Sequence, residues 1–270
     1  MPARKPITVL IFGDVVGRAG RNALKEVLPK WRKKYSPHLV IANAENLAHG
    51  SGVTPSTLEE ARAAGVDFFT SGNHIFKRKD ALPLLTQREP ILIRPANYPP
   101  ETPGVGHRLL SVGTLNILVI NLIGRVFFNE DFEDPFREFD RILKQYRNQK
   151  VNAVVVDAHT EATSEASALG WYLDGRAAVV YGTHTHIPTA DAKVLPKGAA
   201  YITDVGMTGL RDTVLGVDKD VIIRRFLTQT PVGFIIPESG PAVINALVVN
   251  INPNTGQAID VALAQEEIIV

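Results

Sequence analysis

Residues 7–44 read ITVLIFGDVVGRAGRNALKEVLPKWRKKYSPHLVIANA, and this stretch decides the fold class. Two short apolar runs, residues 7–13 and 38–44, flank a segment with helical periodicity from about Arg18 to Lys34. An apolar β-branched run, a helix and a second such run are typical of a βαβ unit with parallel strands. Because the alternation continues beyond residue 44, the sequence predicts an α/β protein with a largely parallel sheet.

The same patterns predict the remaining elements. Helices are predicted over residues 54–65, 80–87, 133–149 and 164–175. Strands are predicted over residues 66–72, 91–97, 105–113, 114–124, 151–159, 177–182, 199–206, 233–237, 242–251 and 258–270, with residues 105–124 forming a hairpin. The proline-rich loop at residues 98–106 is the best candidate for a boundary. Since the chain has no internal repeat, we predict a single domain, residues 1–270, whose two sheet halves share a core.

Composition narrows the classes of function. With 45% hydrophobic residues, 21% charged residues and a net charge of +1, the chain has no general attraction to nucleic acid or to anionic membranes. The absence of cysteine excludes disulfides and thiolate ligands, so a metal would need His, carboxylate, amide or water ligands. The short N-terminal apolar run predicts a strand and not a signal peptide. No stretch approaches the roughly 20 apolar residues of a membrane helix, so we expect a cytoplasmic protein.

Polar side chains follow nearly every predicted strand. They are Asp14, the pair Glu45 and Asn46, the pair Asn73 and His74, the pair Asp157 and His159, and the pair His184 and His186. Taken singly, each has a structural explanation as a turn, a polar loop or a core histidine. Taken together at the carboxyl ends of strands, they indicate a site that holds one or two divalent ions.

The stretch AAVVYGTHTHIPTAD, residues 177–191, places two histidines directly after an apolar run. A strand sends side chains i and i+2 to the same face, so His184 and His186 are expected to point the same way. They could grip one ion or two neighbouring ions. The glycines of GDVVGRAG, in contrast, fit neither the dinucleotide fingerprint nor the P-loop.

These motifs resemble those of the calcineurin-like metallophosphoesterases. The segments FGDVVGRAGR, NAENLAHGSGVT, SGNHIF, NLIGR, HTEATSEA and DGRAAVVYGTHTHIPTADAKVLPKGAAYITDVGMTG look more closely like the YmdB-like bacterial phosphodiesterases, from Ile7 to about Gly216. The missing histidine after Asp14 and the glutamate at position 45 depart from the superfamily but are shared with that subgroup. Ala166 stands where a lysine is expected after Glu165.

The resemblance implies a four-layer α/β/β/α metallophosphoesterase sandwich, with two mixed sheets flanked by helices. It implies two divalent transition-metal ions, iron or manganese ahead of zinc. One ion would lie among Asp14, Glu45, Asn46 and His186. The other would lie among Glu45, Asn73, His159 and His184, with Glu45 bridging and the two alternating histidines serving different ions.

The resemblance also implies the reaction. Two divalent ions lower the pKa of a bridging water, so that hydroxide is available near neutral pH to attack a phosphodiester. His74 resembles the general acid of the family and would protonate the departing ribose oxygen, with Asp157 as a candidate to orient it. The implied substrate is a small cyclic nucleotide, 2′,3′-cyclic ahead of 3′,5′-cyclic.

Other functions stay open at this point. The alternatives are a phosphomonoesterase, an RNA-processing phosphodiesterase, and a regulatory metal-binding protein without turnover. His74 argues against the last, because a structural centre needs no acid beside its ligands, and the lack of basic strips with aromatic residues disfavours long RNA as a partner. The apolar strands of residues 242–270 suggest a homodimer or tetramer.

Overall fold

The computed structural model describes residues 5–270. The helices are α1 (Gly17–Tyr35), α2 (Pro55–Ala64), α3 (Ala81–Leu85), α4 (Pro135–Tyr146), α5 (Thr163–Leu173) and α6 (Lys219–Thr228). The strands are β1 (Ile7–Asp14), β2 (Leu39–Asn43), β3 (Phe68–Thr70), β4 (His107–Val112), β5 (Leu115–Ile123), β6 (Ala153–His159), β7 (Val179–Thr183), β8 (Lys193–Val194), β9 (Ala200–Ile202), β10 (Gly209–Leu210), β11 (Pro241–Ile251) and β12 (Ala258–Ile269). Among these residues no helix is long and apolar enough to cross a membrane.

Two mixed sheets form the middle of the molecule. In the first sheet β1, β2 and β3 are parallel, while β11 pairs antiparallel with β1, β10 and β12. In the second sheet β5, β6, β7 and β9 are parallel, and the edge strands β4 and β8 are antiparallel to their neighbours. The prediction of two mixed sheets is confirmed, as is the β4–β5 hairpin.

Three apolar layers hold the sheets and helices together. Helices α1 and α2 cover the outer face of the first sheet, and α4 and α5 cover the outer face of the second. Between the sheets, side chains such as Val9 and Ile41 from the first pack against Val155 and Val179 from the second. Each of these side chains is buried, which is worth about 1.5–3 kcal/mol per residue. The result is the predicted α/β/β/α sandwich.

The shared central layer brings the carboxyl ends of strands from both sheets to one end of the molecule. The amide of Asn43, the last residue of β2, lies 3.4 Å from Asp157 on β6 and 3.3 Å from Thr183 on β7. All three residues are fully buried. Loops that leave β1, β2 and β3 therefore face loops that leave β6 and β7.

The structure differs from the sequence prediction in several segments. Residues 199–206 shorten to β9, and the two-residue strands β8 and β10 were not predicted. Residues 91–97 form no strand beyond an isolated bridge between Phe69 and Leu92, because Pro95 lacks an N–H and the Arg94 guanidinium binds nearby carbonyls. Residues 233–237 have no ladder partner among the described strands. The predicted strand 66–72 shortens to β3. Helix α6 was not predicted, although the Asp218 side chain caps two N–H groups of its first turn.

Candidate metal centre

Every predicted site residue lies in one cluster at the carboxyl ends of the strands, with a buried centre and a partly exposed rim. Asp14 ends β1, His159 ends β6, and the others occupy loops after β2, β3 and β7. Glu45, His159 and His184 each offer a ligand atom, and these atoms lie within 4.8 Å of one another. Glu45 and His159 are essentially inaccessible to solvent. Loops that are distant in sequence thus converge here because the two sheets share their core.

Glu45 is the centre of the cluster. Its Oε1 lies 3.3 Å from His159 Nε2 and 3.5 Å from Asn46 Nδ2, and its Oε2 accepts a 2.8 Å hydrogen bond from the His74 backbone N–H. Asn73 Oδ1 lies 3.2 Å from the same His159 nitrogen. The Glu45 carboxylate therefore contacts His159 in one part of the cluster and Asn46 in the other.

Asp14 organises the part of the cluster that contains Asn46 and His186. Its Oδ1 lies 3.2 Å from Asn46 Nδ2 and 3.8 Å from His186 Nε2, and its Oδ2 accepts a 2.9 Å bond from the His184 backbone N–H. Asn46 turns its amide nitrogen toward Asp14 and its oxygen toward His74. An amide ligates a metal through oxygen, so ligation by Asn46 stays a prediction.

The hydrogen bonds fix which nitrogen each candidate histidine turns toward the cluster. His186 Nδ1 donates to the Leu215 carbonyl at 3.0 Å, which leaves Nε2 to accept from the Asn46 amide nitrogen at 3.2 Å and to face Asp14 at 3.8 Å. His184 Nε2 donates to the Glu161 carboxylate at 2.8 Å, which leaves Nδ1 free. Outer acceptors that hold one imidazole nitrogen while the other faces inward are characteristic of histidines that bind metals.

His159 is also held by an outer acceptor, the Thr183 hydroxyl, which is held in turn by Asp157. Its Nδ1 lies 2.8 Å from Thr183 Oγ1, whose own proton goes to Asp157 at 2.7 Å. The hydroxyl must then accept from His159, so Nδ1 carries a proton and Nε2 faces Glu45 and Asn73. The expectation that Asp157 orients His74 is wrong. Asp157 binds Thr70 and Thr183 and orients His159 instead.

His74 is oriented by Asn46. Its Nδ1 lies 2.8 Å from Asn46 Oδ1, and because the amide oxygen can only accept, this nitrogen carries a proton. The His74 side chain is 32% exposed, in contrast to the buried His159. It is thus the imidazole at the rim of the cluster, with Nε2 left for a ligand.

The alternating histidines do not lie in an extended strand, so the premise that strand geometry aims them is wrong. Strand β7 ends at Thr183, and His184 and His186 have φ angles of 105° and 66°. Such left-handed backbone costs of order 1–3 kcal/mol per residue and persists only where its surroundings fix it. Here Asp204 accepts 2.9 Å bonds from both the N–H and the hydroxyl of Thr185, between the two histidines.

Electrostatics couples the buried groups. Burial opposes ionisation of Glu45, but His159 and His74 outweigh it and hold the pKa of Glu45 well below its usual range. Burial alone would lower the pKa of His159, yet the carboxylates of Glu45 and Asp14 raise it to about 9. Burial and the neighbouring His159 lower the pKa of His184. The cluster therefore requires positive charge, which a metal cation would supply in place of a proton.

Sequence reasoning missed several residues that shape this cluster. Glu161 holds His184, Asp204 holds the loop between the histidines, and the Phe128 ring packs 4.9 Å from the His184 ring. Glu161 lies in the quoted segment HTEATSEA, two residues after His159, which is the one signal that could have indicated it. Phe128 lies in a loop without periodic pattern.

Replacing Gly72 by alanine should displace the candidate ligands His159 and Glu45. A Cβ at this position would overlap His159 Nε2 and Glu45 Oε2. We expect Gly72→Ala to lower kcat/KM and metal affinity by about 10–100-fold, the range typical of a disturbed ligand shell. The fold should lose no more than about 1–3 kcal/mol. Elemental analysis, kinetics and thermal melting measure these effects.

Gly233→Ala is the matched control, because a Cβ there meets open space. It should leave metal content and kinetics unchanged. A Gly72→Ala protein with wild-type metal content and wild-type kinetics would show that the close packing of Gly72 against Glu45 and His159 is unimportant.

Known proteins are similar to this chain in sequence and in fold. A family model described as "YmdB-like protein" matches residues 10–263. The 2′,3′-cyclic-nucleotide 2′-phosphodiesterase of Bacillus subtilis strain 168 is 44% identical over 253 residues, which cover 94% of each chain.

Two solved structures superpose on this chain with a TM-score of 0.90. One is a hypothetical protein from Thermus thermophilus, 41% identical, with coverage of 97% of this chain and 99% of that one. The other is described as a novel phosphatase from Mycoplasma pneumoniae, 33% identical, with coverage of 98% and 94%. The likeness extends over nearly the full length of each protein.

Proposed function

The chain belongs to the YmdB-like family of metallophosphoesterases, and from this premise we propose that it is a metal-dependent phosphodiesterase of cyclic nucleotides. The observation that supports this most strongly is the set of three histidines held by outer acceptors, each with its second nitrogen turned toward Glu45 or Asp14. The Bacillus subtilis relative is a 2′,3′-cyclic-nucleotide 2′-phosphodiesterase, which supports 2′,3′-cyclic nucleotides ahead of 3′,5′-cyclic ones.

The donor set fits two divalent ions that share Glu45. Asp14, Asn46 and His186 would hold one ion, and Asn73, His159 and His184 would hold the other. Imidazole mixed with hard oxygen donors suits iron or manganese, with zinc possible. When bound, two such cations supply an activated water and neutralise charge on the phosphate oxygens.

The protein's own residues would transfer the proton and orient the reacting groups. Asn46 holds Nδ1–H of His74, so that the opposite nitrogen can carry a proton to the departing ribose oxygen. Asp157, Thr183 and Asp204 fix the histidines before any substrate arrives. Such preorganisation lowers the cost of aligning a phosphodiester for attack.

A substrate panel tests this function. Purified protein loaded with manganese(II) or iron(II) is assayed on 2′,3′-cAMP, 3′,5′-cAMP, p-nitrophenyl phosphate, bis-p-nitrophenyl phosphate and a short RNA. We expect the highest kcat/KM on 2′,3′-cAMP, with 3′-AMP as the product. A higher kcat/KM on the monoester would favour a phosphomonoesterase, which the description of the Mycoplasma pneumoniae structure also suggests. Absence of turnover on all five would favour a regulatory metal-binding protein.

Two further expectations stay predictions. We expect a cytoplasmic enzyme and a homodimer or tetramer. Light scattering at micromolar concentration tests the second, and a monomer there would contradict it.

A further inference from the structure

Within residues 5–270, seven residues other than glycine have left-handed φ angles, and six of them have an evident reason. Ser36 and Gln229 are the C-caps of α1 and α6, where this conformation is ordinary. His49 belongs to a tight turn with two left-handed glycines. The remaining four, which lie on loops at the candidate centre or contact it, are Phe127, His184, His186 and Leu215.

Phe127 is the one whose strain no internal contact explains. His184 and His186 are proposed ligands, and Leu215 turns its carbonyl to His186. Phe127 has φ 68° and is 80% exposed, so that its ring gains almost nothing from the core. An exposed ring alone would be ordinary. A left-handed backbone that no internal contact explains points to a function, which for an exposed aromatic ring is the binding of a ligand.

The loop that carries Phe127 is fixed at the edge of the candidate centre. The buried carboxylate of Glu165 accepts 3.0 and 3.1 Å bonds from the N–H groups of Arg125 and Val126. On the other side, the ring of Phe128 packs 4.9 Å from the His184 ring. Phe127 therefore lies between an anchored pair of amides and a residue that touches a proposed metal ligand.

We propose that Phe127 is the platform on which the nucleobase of the substrate stacks, an inference that rests on the proposed cyclic-nucleotide activity. In a 2′,3′-cyclic nucleotide the base is attached to the ribose that carries the reacting phosphate. A phosphate at the centre thus brings the base to the rim of the site. Aromatic rings bind all bases through their π faces, so this platform would favour purines over pyrimidines only by stacking area.

Kinetics on substrates with and without a base test the proposal. We compare wild type, Phe127→Leu and Phe127→Tyr on 2′,3′-cAMP and on glycerol 1,2-cyclic phosphate, which has the cyclic ester but no base. None of the three proteins has glycine at position 127, so the strain of the left-handed backbone is the same in each. We expect Phe127→Leu to raise KM for 2′,3′-cAMP by about 10-fold, as the loss of one stacked base predicts. Phe127→Tyr should keep the wild-type KM.

Neither variant should change KM for glycerol 1,2-cyclic phosphate. Phe226→Leu is the matched control, because Phe226 is 77% exposed on α6 and should leave both substrates unaffected. Equal KM values for wild type and Phe127→Leu on 2′,3′-cAMP would overturn the platform. So would an equal loss on the ester without a base, which would indicate a general disturbance of the loop.

A binding measurement separates this inference from the proposed reaction. Stacking of 3′-AMP should quench the added indole fluorescence of Phe127→Trp, measured against the wild-type background of Trp31 and Trp171. If wild type hydrolyses neither cyclic ester, the proposed function fails, whereas quenching by 3′-AMP would still support the platform. Hydrolysis of 2′,3′-cAMP without quenching would overturn the platform alone.

Discussion

Replacing Glu45 by glutamine is expected to lower kcat/KM on 2′,3′-cAMP by on the order of 10³ or more, beyond the 10–100-fold typical of residues that only support a ligand. Glu45 contacts His159 through one oxygen and the His74 backbone through the other, and it lies at the junction of the two proposed ion sites. The substitution keeps the shape of the side chain but removes the charge that both ions would share. Metal content, measured by elemental analysis, should fall together with activity.

Glu161→Gln is the matched control for this prediction. It makes the same chemical change on a half-exposed carboxylate that contacts His184 from outside the cluster. We expect a loss of about 10–100-fold with metal content near that of wild type. If the two variants lose the same activity and the same metal, Glu45 has no special bridging position.

Replacing His74 by alanine is expected to lower kcat on 2′,3′-cAMP by on the order of 10²–10⁴ while metal content stays at the wild-type level. The reason is that ribose is a poor leaving group, which needs a proton as the bond to phosphorus breaks. With bis-p-nitrophenyl phosphate the leaving oxygen departs without a proton. His74→Ala should therefore keep much more of the wild-type rate on that ester.

Asn73→Ala is the comparison for His74→Ala, because the adjacent residue is a proposed ligand 3.2 Å from His159 Nε2. It should deplete metal and lose activity on both esters. Equal losses of His74→Ala on both esters, at full metal occupancy, would mean that His74 positions the phosphate and does not protonate the leaving oxygen.

The position of the cluster could be predicted from sequence because it follows from topology. Asp14, Glu45, Asn73 and His159 follow apolar strands, and the carboxyl ends of parallel strands meet at one edge. The two-sheet sandwich came from the family resemblance, since alternation alone predicts a parallel sheet and does not say how strands divide between two sheets. In the structure the strands divide into two sheets that pack against each other through the central apolar layer.

The groups that orient the ligands could not be predicted. Asp204 reaches Thr185 from 19 residues away, and the left-handed φ of His184 has no sequence signal because no glycine marks it. Helix α6, in contrast, could have been predicted. Asp218 stands at its N-cap, and Ile222, Phe226 and Leu227 recur at helical spacing, although Phe226 and Leu227 are exposed in the fold.

The most direct test of the proposed centre is a titration of metal-free protein with manganese(II), with bound metal and hydrolysis of 2′,3′-cAMP measured in the same samples. Two sites that share Glu45 predict that activity is absent without metal and reaches its maximum as bound metal approaches about two ions per chain. Full activity in a protein that carries no metal, or a maximum already reached at about one ion per chain, would contradict a dinuclear phosphodiesterase.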